Sequence, residues 1–170
     1  MKKLILGMML LAGLVAFVGP LYSHCEIPCG IYDDELRAKL IDEHITTIEK
    51  SMQQITALSK AKAANYNQIV RWVGNKEHHA GEIQHIAAQY FMTQRVKPAD
   101  GSDAGKQAKY VRQLTLLHGM LVGAMKAKQT TDPAHVAALR KLSAEFKAAY
   151  FAPSAKTAAH KADHGHSHAH

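Results

Sequence analysis

From Leu36 onward the apolar residues recur at steps of three and four: Leu36, Leu40, Ile41, Ile45, Ile48, Met52 and Ile55. That spacing lays one apolar stripe along a long helix. Asp33, Asp34 and Glu35 stand at its start, where negative charge offsets the unpaired amide groups of a helix N-terminus. Tyr66, Ile69, Val70, Val73, Ile83, Ala87, Tyr90 and Phe91 predict a second helix over about residues 63–94. Gly74 and Gly81 weaken it, so a kink or break is expected in the stretch GNKEHHAG. The segment 96–105, VKPADGSDAG, is dense in turn residues and reads as a loop.

A third helix is predicted around Tyr110, Val111, Leu114, Leu117, Leu121 and Met125. Asp132 and Pro133 then form a start signal, a capping side chain followed by proline in the first helical position. The fourth helix they open carries Val136, Leu139, Leu142, Phe146 and Tyr150. No alternating run of strand-forming residues competes with these four. The expected fold is all-α, an antiparallel four-helix bundle with short connections.

The first residues follow a different pattern. Lys2 and Lys3 precede an apolar run from Leu4 to Val18, and Gly19-Pro20 breaks it. The run is short for a membrane span, which takes about 20 residues, and its layout is that of a cleaved export signal. Ser23 is the small residue after which a cut is expected, with Leu21 a less usual residue two positions upstream. His24 stands where a lipoprotein signal would place a small residue before Cys25. The expected organisation is therefore an export signal over 1–23, a metal-binding hook plus bundle over 24–152, and a tail over 153–170. Signal peptidase is the implied maturation partner. The mature chain is expected in the periplasm without stable membrane association.

Loss of Lys2 and Lys3 lowers the formal charge from +7 to +5. The remaining cations are scattered and aromatics make up only 6% of the chain, so nucleic-acid binding is not expected. Two cysteines rule out a densely stapled scaffold and leave apolar packing to hold the core.

Those two cysteines carry the chemistry. A cut before His24 starts the mature chain His24-Cys25-Glu26-Ile27-Pro28-Cys29-Gly30. Four donors then lie within reach: the new α-amine of His24, the Cys25 amide nitrogen, and the thiolates of Cys25 and Cys29. The first three are joined through fused five-membered chelate rings and fall into a plane. Pro28 and Gly30 let the chain hook back to bring Cys29 to the fourth corner. The His24 imidazole is placed for an axial approach. A planar set of two nitrogens and two sulfurs suits Ni(II) or Cu(II) rather than tetrahedral zinc. On spacing alone a disulfide would be the better reading of paired thiols outside the cytoplasm. The adjacent histidine, the Pro-Cys-Gly sequence and the expected cut together reverse that preference. Neither a redox C-x-x-C nor a haem-attaching C-x-x-C-H is present.

The stretch HCEIPCGIYD resembles the N-terminal hook of the nickel superoxide dismutases, His-Cys-x-x-Pro-Cys-Gly-x-Tyr. It matches at His24, Cys25, Pro28, Cys29, Gly30 and Tyr32. A looser likeness runs through residues 75–98, and the resemblance extends over about 24–150. It implies a four-helix bundle assembled as a homohexamer, with one nickel ion per subunit and superoxide as substrate. The implied activity is dismutation to O2 and H2O2 by Ni(II)/Ni(III) cycling. Nickel ligands in this reading are His24, Cys25 and Cys29. Tyr32 takes the place of the tyrosine that limits access to the open face, and Tyr90 that of a second tyrosine nearby. The family orients its axial imidazole through a carboxylate on the first helix that is paired with arginine. Here the carboxylate is Glu43 or Asp42, with Glu43 favoured. No arginine aligns, and His79 stands nearest the expected place.

The other histidines divide into two groups. His78, His79 and His85 lie close on one predicted helix, and surface or core roles explain them more readily than ligation. His44, His118 and His135 read as ordinary helix histidines. The tail carries His160, His164, His166, His168 and His170, a metal-binding composition without fixed geometry. It keeps an alternative function in view, a non-enzymatic periplasmic helical protein that binds nickel or copper.

Overall fold

The structure, a computed structural model, describes residues 28–152. The export signal, His24, Cys25 and the histidine tail lie outside the described residues. The chain divides into two compact units, Met1–Tyr32 and Asp33–His170.

The second unit is built from four helices, and among the described residues there is no strand. Helix α1 spans Asp34–Ser59 and α2 spans Tyr66–His85, which continues as a π-helix over Ile86–Arg95. Helices α3 and α4 span Ala104–Gln129 and Pro133–Phe151. Each of the four starts on an aspartate or asparagine whose side chain accepts from a backbone N–H of the first turn. Asp33 accepts from Leu36, Asn65 from Gln68, Asp103 from Gly105 and Lys106, and Asp132 from Ala134. These caps satisfy amides that the helix itself leaves unpaired. The start predicted at Asp132-Pro133 is found there.

Contacts between the helices run in opposite order along each neighbouring pair. Asp34 meets Arg95 while Ser51 meets Asn75; Gln84 meets Leu121 while Lys76 meets Ala127. Lys109 meets Ala152, Gly119 lies against Leu142 and Gly123 against Leu139; Asp42 takes Lys147 while Glu49 takes Arg140. The result is an up-down-up-down four-helix bundle. Its core joins Ile41, Ile45, Ile48 and Met52 of α1 to Ile83, Phe91, Leu117, Met120, Leu139 and Phe146. Among the described residues no helix is long and apolar enough to cross a membrane.

Three expectations need correction. No break occurs at Gly74 or Gly81; α2 runs through both and changes pitch only at Ile86. The first turns of α2 are not core, since Tyr66 is 76% exposed and Val70 68%. On α3 the buried face is Gln113, Leu116, Leu117, Met120, Ala124 and Ala127, rotated from the predicted stripe so that Val111 and Met125 face outward. Small residues explain that rotation. A Cβ on Gly119 or Gly123 would lie 2.9 Å from Leu142 or Leu139, so α3 and α4 approach along a face that has almost no side chain.

Candidate functional site

The described part of the hook runs from Pro28 to Tyr32. Cys29 is exposed, and Gly30 after it has φ +80°, a left-handed conformation that glycine adopts at no steric cost. Ile31 is 84% exposed and Tyr32 38%. A thiol presented to solvent beside a glycine-only reversal is what a hooking chain needs at its last metal corner, so these residues fit the nickel donor set. The remaining donors, on His24 and Cys25, lie outside the described residues. Among the described residues no group of three or more His, Cys, Asp or Glu side chains is arranged to hold a metal ion.

Where α1 begins, the bundle holds a charged cluster. The Asp34 carboxylate accepts from Tyr90 Oη at 2.6 Å and from Arg95 Nε at 2.7 Å on Oδ1. On Oδ2 it accepts from Arg95 Nη2 at 2.8 Å and Tyr150 Oη at 2.8 Å. One anion thus ties the start of α1 to the π-helix and to the last turn of α4. Burial pushes the Asp34 carboxyl up, but the bonds from Arg95, Tyr90 and Tyr150 outweigh it and leave the group below its ordinary range. Burial and the bond to Asp34 raise both phenols, Tyr150 to about 12. The cluster rests on an aromatic stack: Phe91 meets Phe146 edge-on at 4.8 Å between ring centroids and Tyr150 at 5.3 Å. Arg37 lies over the Tyr90 ring at 5.2 Å.

The π-helix makes this cluster possible. In an α-helix, residues five apart lie about 140° apart around the axis. The wider i→i+5 turn, seen in the bond from Val96 N to Phe91 O at 2.8 Å, brings residues five apart much closer to one face. Tyr90 and Arg95 therefore reach the same carboxylate. Sequence reasoning read Asp34 only as a helix-start charge and passed over Arg95. Nothing in the residue pattern announces ten residues of π-helix.

The remaining candidates lie along α1 and α2. Asp42 accepts from Ser143 Oγ at 2.6 Å and from Lys147 Nζ, so it is engaged with α4. Glu43 is exposed. Among the described residues, the α1 carboxylates that carry an arginine are Asp34 and, further along, Glu49 with Arg140 at 2.6 Å. His79 and His44 bring their Nδ1 atoms within 2.8 Å of each other. His44, read from sequence as an ordinary helix histidine, is thus one half of an interhelical pair. Tyr90 is 3% exposed and belongs to the Asp34 cluster.

Comparison with known proteins gives one match. The family model for nickel-containing superoxide dismutase covers residues 20–154. No curated protein and no solved structure matches the chain. The family match spans the hook sequence and all four helices. The chain therefore belongs to the nickel-containing superoxide dismutases, oxidoreductases with a nickel cofactor.

Proposed function

We propose that the mature chain begins at His24 and dismutes superoxide at that new N-terminus. Two superoxide anions and two protons become one O2 and one H2O2, with one anion oxidised and the other reduced. Nickel supplies the one-electron couple when bound, because thiolate and ionised amide donors bring its higher oxidation state within reach. The residues that would hold it are His24, through its α-amine and imidazole, Cys25, through its amide nitrogen and thiolate, and Cys29, through its thiolate. Before cleavage the nitrogen of His24 is a peptide nitrogen and a poor donor, so the precursor is inactive. Tyr32 stands at the open face of the hook in this reading and limits what reaches it.

The observation that carries the proposal is the full hook motif inside a family match that spans the bundle. The exposed Cys29 thiol beside the left-handed Gly30 supports it. Export follows from the leader, since a charged substrate crosses membranes poorly and superoxide made outside must be met outside. Exported thiols are open to oxidation by peroxide, so nickel is inserted soon after signal peptidase acts. Assembly as a homohexamer belongs to the same reading.

Intact mass and N-terminal sequencing of the nickel-loaded protein test it. A start at His24, one nickel per chain that survives deletion of residues 154–170, and dismutase activity lost in Cys29→Ser are expected. A different start, or nickel lost with the tail, would replace the proposal with a non-enzymatic nickel- or copper-binding helical protein.

A further inference from the structure

The antiparallel bundle sets the last turn of α4 beside the first residue of α1. Tyr150 Oη donates to Asp34 Oδ2 at 2.8 Å. The Tyr150 ring stacks on Phe146 with centroids 5.3 Å apart and meets Phe151 edge-on at 5.1 Å. Lys109 Nζ of α3 reaches the carbonyl of Ala152 at 3.5 Å. The point where the chain leaves α4 is therefore held from both α1 and α3. The hook sequence enters α1 at Asp34, two residues after Tyr32, and the histidine tail departs from Ala152, two residues after Tyr150. Both segments of metal-ligand composition are thus rooted at one end of the bundle.

The chemistry of the tail is written in its sequence. His160, His164, His166, His168 and His170 fall within HKADHGHSHAH, and imidazole is a ligand of divalent late transition ions. The eight residues from Ala152 to His160 span at most about 29 Å, and the five from Asp34 back to Cys29 at most about 18 Å. With one side-chain contact between the two roots, His160 is never more than about 60 Å from the Cys29 thiol. A donor confined to that radius is present at about 1 mM or more. We propose that the histidine tail is an intramolecular delivery arm, which captures Ni(II) and passes it to the hook of its own chain. The inference rests on the dismutase reading of that hook. Imidazoles without fixed geometry hold the ion loosely, whereas two thiolates and an ionised amide hold it tightly, so transfer runs one way. No oxidation state changes: the imidazole nitrogens are left neutral, and the thiol and amide protons of the hook go to water. Capture does not need the His24 amine. The tail is therefore charged before the signal is removed, and the thiols are loaded before peroxide oxidises them.

The test follows loading of the full mature chain, freed of nickel and with its thiols reduced, by Ni(II) held below the protein concentration. Growth of the nickel–thiolate absorption reports arrival at the hook without reference to activity. Three samples are compared with this parent. One lacks residues 154–170; one is full-length with His160→Asn, His164→Asn, His166→Asn, His168→Asn and His170→Asn; the third is the shortened chain with residues 154–170 added as a free peptide. All these changes lie beyond α4 and leave the bundle intact. The parent should load at least about tenfold faster than each of the three. Equal rates, or faster loading of the shortened chain because the tail only competes for nickel, would overturn the inference and leave the hook as the nickel site. Full rescue by the free peptide would overturn it as well, since tethering would then contribute nothing. If no sample forms the nickel–thiolate signal, the dismutase reading fails and the inference falls with it.

Discussion

Replacing Asp34 with asparagine keeps the shape of the side chain and removes the charge that four donors share. The carboxylate is 18% exposed and the Arg95 side chain 27%, so the pair is only partly screened. In Asp34→Asn one edge still accepts from Tyr90 and Arg95 Nε. The other becomes an N–H2 group pointing at Arg95 Nη2, and the Tyr150 hydroxyl must turn round to accept. Charge-assisted bonds contribute about 1.5–3 kcal/mol each and are not additive. Breaking a fully buried pair costs about 3–5 kcal/mol. With partial exposure the expected loss is about 2–3 kcal/mol. At about 3 °C per kcal/mol for a chain of this size, the melting temperature should fall by roughly 6–9 °C. The pH dependence separates this cause from a general packing defect. Because the folded pKa lies below the unfolded one, the group's contribution is fully present above the unfolded value, near 3.9, and is lost as pH falls through the folded value. Urea unfolding of parent and variant between neutral pH and pH 3 should therefore show their stabilities converging only at the acid end. A difference below about 0.5 kcal/mol at pH 7, or one that does not shrink in acid, would refute the reasoning.

Lys76 is 3% exposed, and its ammonium donates to the carbonyls of Ala127, Lys128 and Thr130, which closes the C-terminal end of α3. Lys76→Met should cost about 2–4 kcal/mol in denaturant unfolding, because it orphans carbonyls at a buried helix end. Gly123→Ala would set a methyl group 2.9 Å from Cδ2 of the fully buried Leu139, and overpacking of about 1–3 kcal/mol should exceed the gain in helix propensity of up to about 1 kcal/mol. At Gly119 the neighbour is the tip of the half-buried Leu142, which can swing aside, so Gly119→Ala should melt within a few degrees of the parent. Since His44 and His79 have folded pKa values below the unfolded value, the parent should lose stability as pH falls below about 6.5. That acid slope should be shallower in His79→Gln when both are followed by thermal melting.

The all-α class, the four helices and the cap at Asp132 were legible from the chain alone, whereas the caps Asn65 and Asp103 were not. A three-and-four spacing of apolar side chains has one compact solution, and capping aspartates act within a single turn. The proposed hook is likewise a local pattern: the donors assigned to it are neighbours along the backbone, so their order in sequence sets the chemistry they would offer. What the tertiary structure decided lies between helices. The face α3 turns inward follows from Leu139 and Leu142 packing over Gly119 and Gly123, a contact no hydropathy pattern encodes. Asp34 meets Arg95 across 61 positions and Tyr150 across 116. That meeting depends on a change of helical pitch after His85, where α-helical counting fails. His44 and His79 come together across 35 positions only because α1 and α2 run antiparallel at a fixed register. Local chemistry can be read residue by residue, whereas pairing at a distance depends on packing the helices together.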